Sequence, residues 1–419
     1  MIRAATATED PSTGEPSIEA PLPLEPPASI YGVHFWLCWA ANSLVSAAGS
    51  LLYRYADFVT FLGGSELELG WIVGVGTVGG LAMRWWQASG LDHYGPRRVW
   101  LASLALFAIA AGAHVLVGRL AGPEIFLLRI VLSIALAGVF GSSIALVSGN
   151  VPLERMAEAI AMLGSSGFVG MATGPVLGDW ILGKAEITRA NLDLMFLVAA
   201  LLSVTALVLA WVGAERRAGR LRRRRAPIVW LVTRYNPGWI LLMAFAMGFG
   251  LGLPGTFLRT FTAELGIREM KVFFLVYTGT AFVFRIGSRR LTAQWGVRRM
   301  VALGMGALVV CLVSYLFVKT EAQLALPAVL TGIAHAVLFP AVVAGGSRAF
   351  PDRYRGLGTT IMLAAMDLGL LVGAPLVGGL LQYAELLGWP RYPTMFVTVA
   401  ALLTVATCVY LSRDDDKVR

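Results

Sequence analysis

Long apolar stretches separated by short polar connections follow one another along the chain from about residue 30 onward. Each is about 20 residues long, the length that an α-helix needs to cross roughly 30 Å of hydrocarbon. Apolar residues are continuous within each stretch and do not alternate with polar ones, which favours helices over a β-barrel. The pattern predicts an all-α integral membrane protein with about twelve spans. The stretches centre near residues 33–58, 70–89, 99–118, 124–149, 158–183, 191–213, 237–260, 271–288, 300–318, 323–347, 357–383 and 394–412.

Basic residues between the stretches predict how the chain is oriented. Lys and Arg are concentrated in the tails and in the even-numbered connections, and such connections face the cytoplasm. Both termini are therefore predicted to be cytoplasmic, in a multi-pass protein of the cell (inner or plasma) membrane. The connection after the sixth stretch holds the densest basic run, which consists of Arg216, Arg217, Arg220, Arg222, Arg223, Arg224 and Arg225.

Composition agrees with a membrane protein and explains the charge. The chain is 57% hydrophobic and 14% charged, with a mean hydropathy of +0.72, whereas about a quarter of a soluble domain is charged. The net charge of +9 fits arginines beside anionic lipid, so the bilayer is a predicted partner and nucleic acid is not. The cysteines are dispersed and no phosphate-binding loop is present, so we predict neither a metal nor a cofactor.

The stretches and connections divide the chain into five segments. Residues 1–29 are rich in Pro, Glu, Ser and Thr and are predicted to be a disordered cytoplasmic tail. Residues 30–213 and 237–412 are each predicted to be a six-helix bundle. The basic linker 214–236 joins them, and 413–419 is a second cytoplasmic tail. We expect the protein to be a monomer.

One motif occurs twice at a constant spacing. In each copy, an apolar segment that carries one Arg leads into a Gly-x-Arg-Arg turn. Equivalent residues are 201 positions apart, since 285 − 84 = 201 and 296 − 95 = 201. Matching membrane segments in two halves of a chain indicate a transporter built from structural repeats. The repeated positions are Arg84, Gly95, Arg97 and Arg98 in the first copy, and Arg285, Gly296, Arg298 and Arg299 in the second.

A second pair of matching sites lies in the fifth and eleventh stretches. Gly174-Pro175 is mirrored by Ala374-Pro375, and Gly178 by Gly378, because 375 − 175 and 378 − 178 are both 200. Proline removes a backbone hydrogen bond and bends a helix, while glycine lets a neighbouring helix approach closely. These sites are expected either to assist rocking of one half against the other or only to aid packing.

These residues resemble a known family. The sequence from Asp92 to Arg98 resembles the loop signature between the second and third spans of the major facilitator superfamily. The tract Gly170–Gly178 is similar to that superfamily's fifth-span motif, which is commonest in exporters. The tract from Gly332 to Gly379 is similar to the arabinose-efflux-permease-like efflux branch. The chain departs from these patterns at Ala88, His93, Ala293 and Asp179, the last of which stands where the fifth-span motif usually ends in Gly.

The resemblance implies a fold and a mechanism. The fold is two pseudo-symmetric six-helix bundles that rock around a central substrate site. The activity is export of a small organic solute by antiport against protons. In this family Asp92 is implied to brace the outward-facing state at the cytoplasmic surface. The resemblance also assigns further residues to motifs that control conformation: Gly95, Arg97, Arg98, Gly170, Gly174, Pro175, Gly178, Gly296, Arg298, Arg299 and Pro375.

Three intramembrane charges are the candidates for coupling. Arg84 and Arg285 each precede the loop Gly by 11 residues (95 − 84 = 11; 296 − 285 = 11), which places them about three turns inside the membrane. An unpaired Arg there costs several kcal/mol, so each is expected to have a partner. The two could bind an anionic substrate, hold a proton-carrying carboxylate ionised, or serve structure alone. Asp367, inside the eleventh stretch, is the first choice for the proton carrier.

Polar residues on the first stretch predict a face that lines the substrate cavity. Asn42, Ser46 and Asp57 recur at helical spacing, with Arg54 beside them. The alternative is that the last of these residues belong to an interfacial belt. His335, in the tenth stretch, is a further candidate for the cavity, although a lone membrane His is more often a packing residue.

The sequence therefore predicts a secondary active transporter and not an enzyme. Its partners are a small-molecule substrate and, as coupling ions, protons. The alternative within transport is uptake or exchange of an anion held by Arg84 and Arg285. Outside transport, a polytopic membrane enzyme would need clustered His, Asp or Glu at one membrane face, and a receptor would lack flux.

Overall fold

The computed structural model describes residues 31–120, 122–149, 151, 155–183, 186–214, 228–287, 291–351 and 354–413. Within these ranges the chain is helical and contains no β-strand. Eleven helices are long and apolar enough to cross a membrane, and a twelfth, Lys271–Gly287, has 17 residues, the lower end of that length. Nearly all of the predicted tails and much of the predicted linker lie outside the described residues. A short helix, Ile228–Arg234, precedes the second half.

The long helices are numbered in chain order. They are α1 (Val33–Phe61), α2 (Glu66–Tyr94), α3 (Pro96–Ala113), α4 (Pro123–Ser148), α5 (Met156–Leu182), α6 (Arg189–Gly213), α7 (Ile240–Glu264), α8 (Lys271–Gly287), α9 (Leu291–Ser314), α10 (Ala325–Arg348), α11 (Arg355–Leu386) and α12 (Arg391–Ser412). We call the face that carries the 214–236 connection the linker side, and the opposite face the far side.

Local sequence sets where these helices begin and turn. On the far side, α2 starts at a capping box, in which Ser65 and Glu68 each bind the other's backbone N–H. On the linker side, Gly95 separates α2 from α3 with φ +82°, and Gly296 makes the equivalent break within α9 with φ +79°. Residues with a Cβ rarely adopt this conformation, so both copies of the repeated motif need glycine at the turn.

Helix α1 is not uniform. A 3₁₀ turn at Leu52–Arg54 separates its longer part, Val33–Leu51, from the short segment Tyr55–Phe61. A 3₁₀ turn has 3.0 residues per turn, against 3.6 in an α-helix. Side chains beyond this turn therefore face a different direction from those that precede it.

Two helical bundles pack side by side. In the first, α1 packs against α5 and α6, α2 against α4, and α3 against α4 and α6. In the second, α7 packs against α11, α8 against α10, and α9 against α10 and α12. The bundles meet where α2 crosses α11, where α5 contacts α8, and where α1 contacts α7. The predicted fold, two pseudo-symmetric bundles of membrane helices, is confirmed.

Helices α2 and α11 touch backbone to backbone on the far side. A Cβ added at Gly70 would lie 2.3 Å from the carbonyl oxygen of Ala374, and one added at Gly378 would lie 2.5 Å from that of Glu66. Only glycine permits so close an approach. The contact closes the far side of the space between the bundles along this helix pair.

Candidate functional site

A cavity of about 480 Å³ lies between the two bundles. Helices α1, α2, α4 and α5 line it from one side, and α7, α8, α10 and α11 line it from the other. Its wall is mostly apolar with a few polar groups, as is usual for a small-molecule site. The charged residues on this wall are Arg84, Arg129 and Asp367, and the polar residues Tyr53, Tyr277 and His335 lie beside them.

Arg84 and Asp367 form an ion pair across the cavity. The guanidinium Nε of Arg84 lies 2.5 Å from Oδ2 of Asp367, and its Nη2 lies 3.4 Å from Oδ1. The two side chains are 20% and 25% exposed, so both reach the cavity. Because Arg84 belongs to α2 and Asp367 to α11, the pair joins one bundle to the other.

Arg285, the repeat partner of Arg84, has a different environment. Its guanidinium lies 5.4 Å from the ring centroid of Phe168 and 5.3 Å from that of Phe339. The face of an aromatic ring attracts a cation, and no carboxylate of the described residues forms an ion pair with Arg285. Phe339 lines the cavity, whereas Arg285 is not on the cavity wall.

Arg129 of α4 is a lining cation that the sequence analysis did not single out. Its guanidinium lies 4.8 Å from the ring centroid of Tyr55, and its buried Nε has no hydrogen-bond partner. Throughout the described ranges, no carboxylate pairs with it. An Arg between Leu128 and Ile130 inside an apolar stretch was the available signal. The repeat concealed it, because Leu330 occupies the position 201 residues later.

The predicted polar face of α1 is divided between two places. Ser46 lines the cavity, whereas Asn42 lies buried beside α4, where its Nδ2 donates to Oγ of Ser143 at 2.9 Å. Arg54 is the last residue of the 3₁₀ turn and Asp57 lies beyond it, and neither is on the cavity wall. They belong instead to a cluster of charges on the far side, which is described below.

His335 lines the cavity from α10. Its Nδ1 lies 2.5 Å from the hydroxyl oxygen of Tyr277 in α8, and the Phe168 ring is 6.0 Å away. The pair links two helices of the second bundle. It also presents one ring of each residue to the cavity.

The repeated loop motif binds helix ends on the linker side. Nε of Arg97 donates to the carbonyl oxygen of Ala214 at 2.8 Å, and its Nη2 donates to that of Trp211 at 3.0 Å. In the second copy, Nη2 of Arg298 donates to the carbonyl oxygen of Leu411. The last carbonyls of a helix lack partners within it, so each Arg satisfies the end of the last helix of its own bundle, α6 or α12.

The structure describes the side chains of the second arginine in each loop motif but not that of Asp92. The side chains of Arg98 and Arg299 are exposed. The side chain of Asp92, for which the resemblance implies a conformational role, lies outside the described part of the chain.

The fifth-span motif packs α5 onto α1. A Cβ added at Gly170 would lie 2.2 Å from Cβ of Ser46, and one at Gly174 would lie 2.2 Å from Oγ of Ser50. At Gly178 the nearest atom would be Cγ of Arg54, at 3.0 Å. Pro175 lies within α5, as Pro375 lies within α11. The small residues therefore fix how closely α5 approaches the cavity-lining helix α1.

Comparison with known proteins gives concordant results. The family model described as Major Facilitator Superfamily matches residues 31–321 and 240–419. Two proteins of Agrobacterium vitis that bear the name "Putative tartrate transporter" are 28% and 27% identical to the chain over 151 residues. That segment covers 35% of this chain, and 34% and 33% of theirs, so the chain spans about a third of the length of these relatives.

Solved structures of low identity share the fold. The nucleoside transporter NupG superposes with a TM-score of 0.72 at 12% identity, over 91% of this chain and 98% of its own. A D-xylose-proton symporter gives a TM-score of 0.70 at 14% identity, over 90% and 97% of the two chains. At these identities the likeness concerns the arrangement of helices alone.

Proposed function

Because this chain belongs to the major facilitator superfamily, and is therefore a multi-pass membrane transporter rather than an enzyme, we propose that it is a secondary active transporter coupled to protons. Asp367 carries the proton and Arg84 controls its release. The substrate binds in the cavity between the bundles, and the bundles rock to expose it to alternate sides of the membrane.

The observation that supports this proposal is the Arg84–Asp367 pair. The pair lies on the cavity wall, and it links α2 to α11 across the boundary between the bundles. Protonation removes the negative charge of the carboxylate and so weakens its attraction to the guanidinium. Protonation of Asp367 therefore weakens a contact between the two bundles. The relative position of the bundles decides which side of the membrane the cavity is open to.

The resemblance to the efflux branch supports export against proton entry. For a cationic substrate, this direction has a simple electrostatic basis. A cation and a proton would compete for the single carboxylate on the described cavity wall. Binding of one therefore favours release of the other, which is the requirement for antiport.

A second candidate is transport of a small organic anion, which is supported by Arg129 and by the names of the tartrate-transporter relatives. The anion carrier predicted from the sequence uses Arg84 and Arg285. Arg84, however, is paired with Asp367, and Arg285 is not on the cavity wall. Arg129 is therefore the better anion ligand. The charges on the wall, Arg84, Arg129 and Asp367, sum to 2 − 1 = +1, and protonation of Asp367 raises this to +2. Proton and anion would then bind cooperatively, which favours cotransport.

Purified protein in proteoliposomes tests both candidates. A pH gradient of either sign is imposed, and a quenched dye follows the lumenal pH while tetraphenylphosphonium, xylose or tartrate is added. We expect one solute to drive proton movement in the wild type, and Asp367→Asn to reduce it by about tenfold or more. Proton movement against the solute supports export by antiport. Proton movement with tartrate, lost in Arg129→Gln, supports the anion carrier. Solute exchange without proton movement, equal in wild type and Asp367→Asn, would overturn proton coupling.

A further inference from the structure

Four charged side chains are buried against one another where the bundles meet on the far side. They are Arg54 and Asp57 of α1, Asp179 of α5 and Arg259 of α7, and we call them the far-side network. Nη2 of Arg54 lies 2.6 Å from Oδ1 of Asp179, and its Nη1 lies 2.9 Å from Oδ2 of Asp57. Oδ1 of Asp57 lies 2.7 Å from Nε of Arg259. The Arg54 side chain is fully buried, and none of the others is more than 10% exposed.

The network also binds the start of α8. Oδ2 of Asp179 accepts hydrogen bonds from the backbone amides of Met270 and Lys271, both at 2.6 Å. Nη2 of Arg54 donates to the carbonyl oxygen of Arg268 at 2.6 Å. The first amides of a helix have no partner within it and carry partial positive charge, so a carboxylate there is strongly favoured. One bundle thus supplies the cap for a helix of the other.

Asp179 is a feature of this chain rather than of the motif in which it lies. It stands where the fifth-span motif usually ends in Gly. The second copy of the motif has Gly379 at this position, since 379 − 179 = 200. A buried carboxylate is costly unless it is paired, and here each of its oxygens is bound. Asp can therefore stand in place of Gly at this position because its surroundings supply partners for both carboxylate oxygens.

We propose that the far-side network holds the far side of the transporter closed, with Asp179 as the positioning residue that must release α8 before that side opens. The first bundle contributes Arg54, Asp57 and Asp179, a net charge of 1 − 2 = −1. The second contributes Arg259 and the positive end of α8. The two surfaces attract each other across a contact in which no charged side chain of the network is more than 10% exposed.

The arrangement also allows the contact to separate. When the bundles part, Arg54 keeps both of its carboxylate partners, because all three residues belong to the first bundle. Arg259, the amides at the start of α8 and the carbonyl oxygen of Arg268 each lose a partner, and all of them then face water entering from the far side. Arg259 is then the charged side chain of the network that lacks its carboxylate, and it lies near the far-side end of α7. The network is distinct from the Arg84–Asp367 pair, so the proposal does not depend on proton coupling.

Distance measurement between two spin labels tests the proposal. Cys38, Cys311 and Cys408 are replaced, and labels are attached at Glu186 and Lys319, which are exposed on the far side of the first and second bundles. The protein is studied in lipid nanodiscs by pulsed electron paramagnetic resonance. Asp179→Asn keeps the shape of the side chain but removes its charge. We expect the population with long far-side distances to rise by about fivefold or more.

Asp193→Asn is the matched control. Asp193 pairs with Arg189 at 2.8 Å on the same side of the membrane, but both residues belong to α6, so the distance distribution should not change. If Asp179→Asn does not yield monodisperse protein, Asp57→Asn breaks the link to Arg259 while leaving Asp179 on α8, and it should give a smaller shift. Far-side distances that match the wild type in both variants would overturn the proposal.

Discussion

The contacts α5–α8 and α2–α11 are related by the internal repeat, yet they are built by opposite means. At α5–α8, the carboxylate of Asp179 binds the start of a helix in the other bundle. At α2–α11, the start of α2 has its own capping box, and the partner helix presents Gly378, which lets the two backbones touch. The first amides of α2 therefore do not depend on a carboxylate of α11. The bundles are thus held together by charge at the α5–α8 contact and by close packing at the far end of the α2–α11 contact.

The two contacts differ in how steeply the attraction between the bundles falls as they separate. Attraction between charges declines slowly with separation, so a charged contact tolerates small movements and is broken mainly when water enters. Close packing is lost within about an ångström of separation. The charged α5–α8 contact is therefore suited to release, whereas the packed far end of α2–α11 tolerates little separation before its contacts are lost.

Changing Asp179 to the residue of the second copy should have the largest effect. Asp179→Gly removes one carboxylate from Arg54 and leaves the first amides of α8 unsatisfied. Breaking a buried ion pair in this way costs roughly 3–5 kcal/mol. Denaturant unfolding in detergent micelles measures the loss, with Asp193→Asn as the control. A loss below about 1 kcal/mol would mean that packing alone holds this contact.

An added methyl group tests the packed contact in the same way. Gly378→Ala places Cβ 2.5 Å from the carbonyl oxygen of Glu66, so α2 and α11 must move apart. Overpacking of this kind costs about 1–3 kcal/mol. Gly379→Ala is the control, because its nearest neighbour would be a Leu67 methyl group at 3.8 Å. Equal thermal stability of the two variants would contradict a backbone-to-backbone contact at this point.

The smallest effect is expected at the rim of α2–α11. Nη2 of Arg391 lies 2.5 Å from Oε1 of Glu66, but the side chains of Glu66 and Arg391 are 23% and 24% exposed. Glu66→Gln should therefore cost only about 0.2–1 kcal/mol, and less at high salt. A double-mutant cycle with Arg391→Gln measures the coupling. Coupling that is as strong as that of Asp179 with Arg54 would remove the distinction between the two contacts.

The fold could be predicted because its signals are local. Apolar length defines the spans, and the repeated Gly-x-Arg-Arg turn marks the two halves, with glycine in the left-handed region at both turns. The chemistry of the interior was harder to predict. A polar face projected along α1 at 3.6 residues per turn runs through Asp57, with Arg54 beside it. The helix changes to 3₁₀ geometry at Leu52–Arg54, and neither Arg54 nor Asp57 lies on the cavity wall.

Other parts of the site depend on contacts between distant positions. Asp179 was visible as a departure from a motif, but its partners in α8 lie more than 90 residues away. Arg84 and Asp367 were each candidates, yet nothing local joins residues separated by 283 positions. Arg129 has no counterpart in the second half, where Leu330 stands at the equivalent position, so the internal repeat does not mark it. Asymmetry between the halves is therefore where the sequence is least informative.

The arginines of the repeated loop have a mechanical consequence. Arg97 ties the start of α3 to the end of α6, and Arg298 ties α9 to α12. Both arginines bind main-chain oxygens, so these hydrogen bonds do not depend on which side chains stand at the ends of α6 and α12. Braced in this way, each bundle resists bending, and its helices, about 40 Å long in the case of α2, behave as stiff levers. A displacement at one membrane face is then carried to the other face rather than lost in bending of the helices.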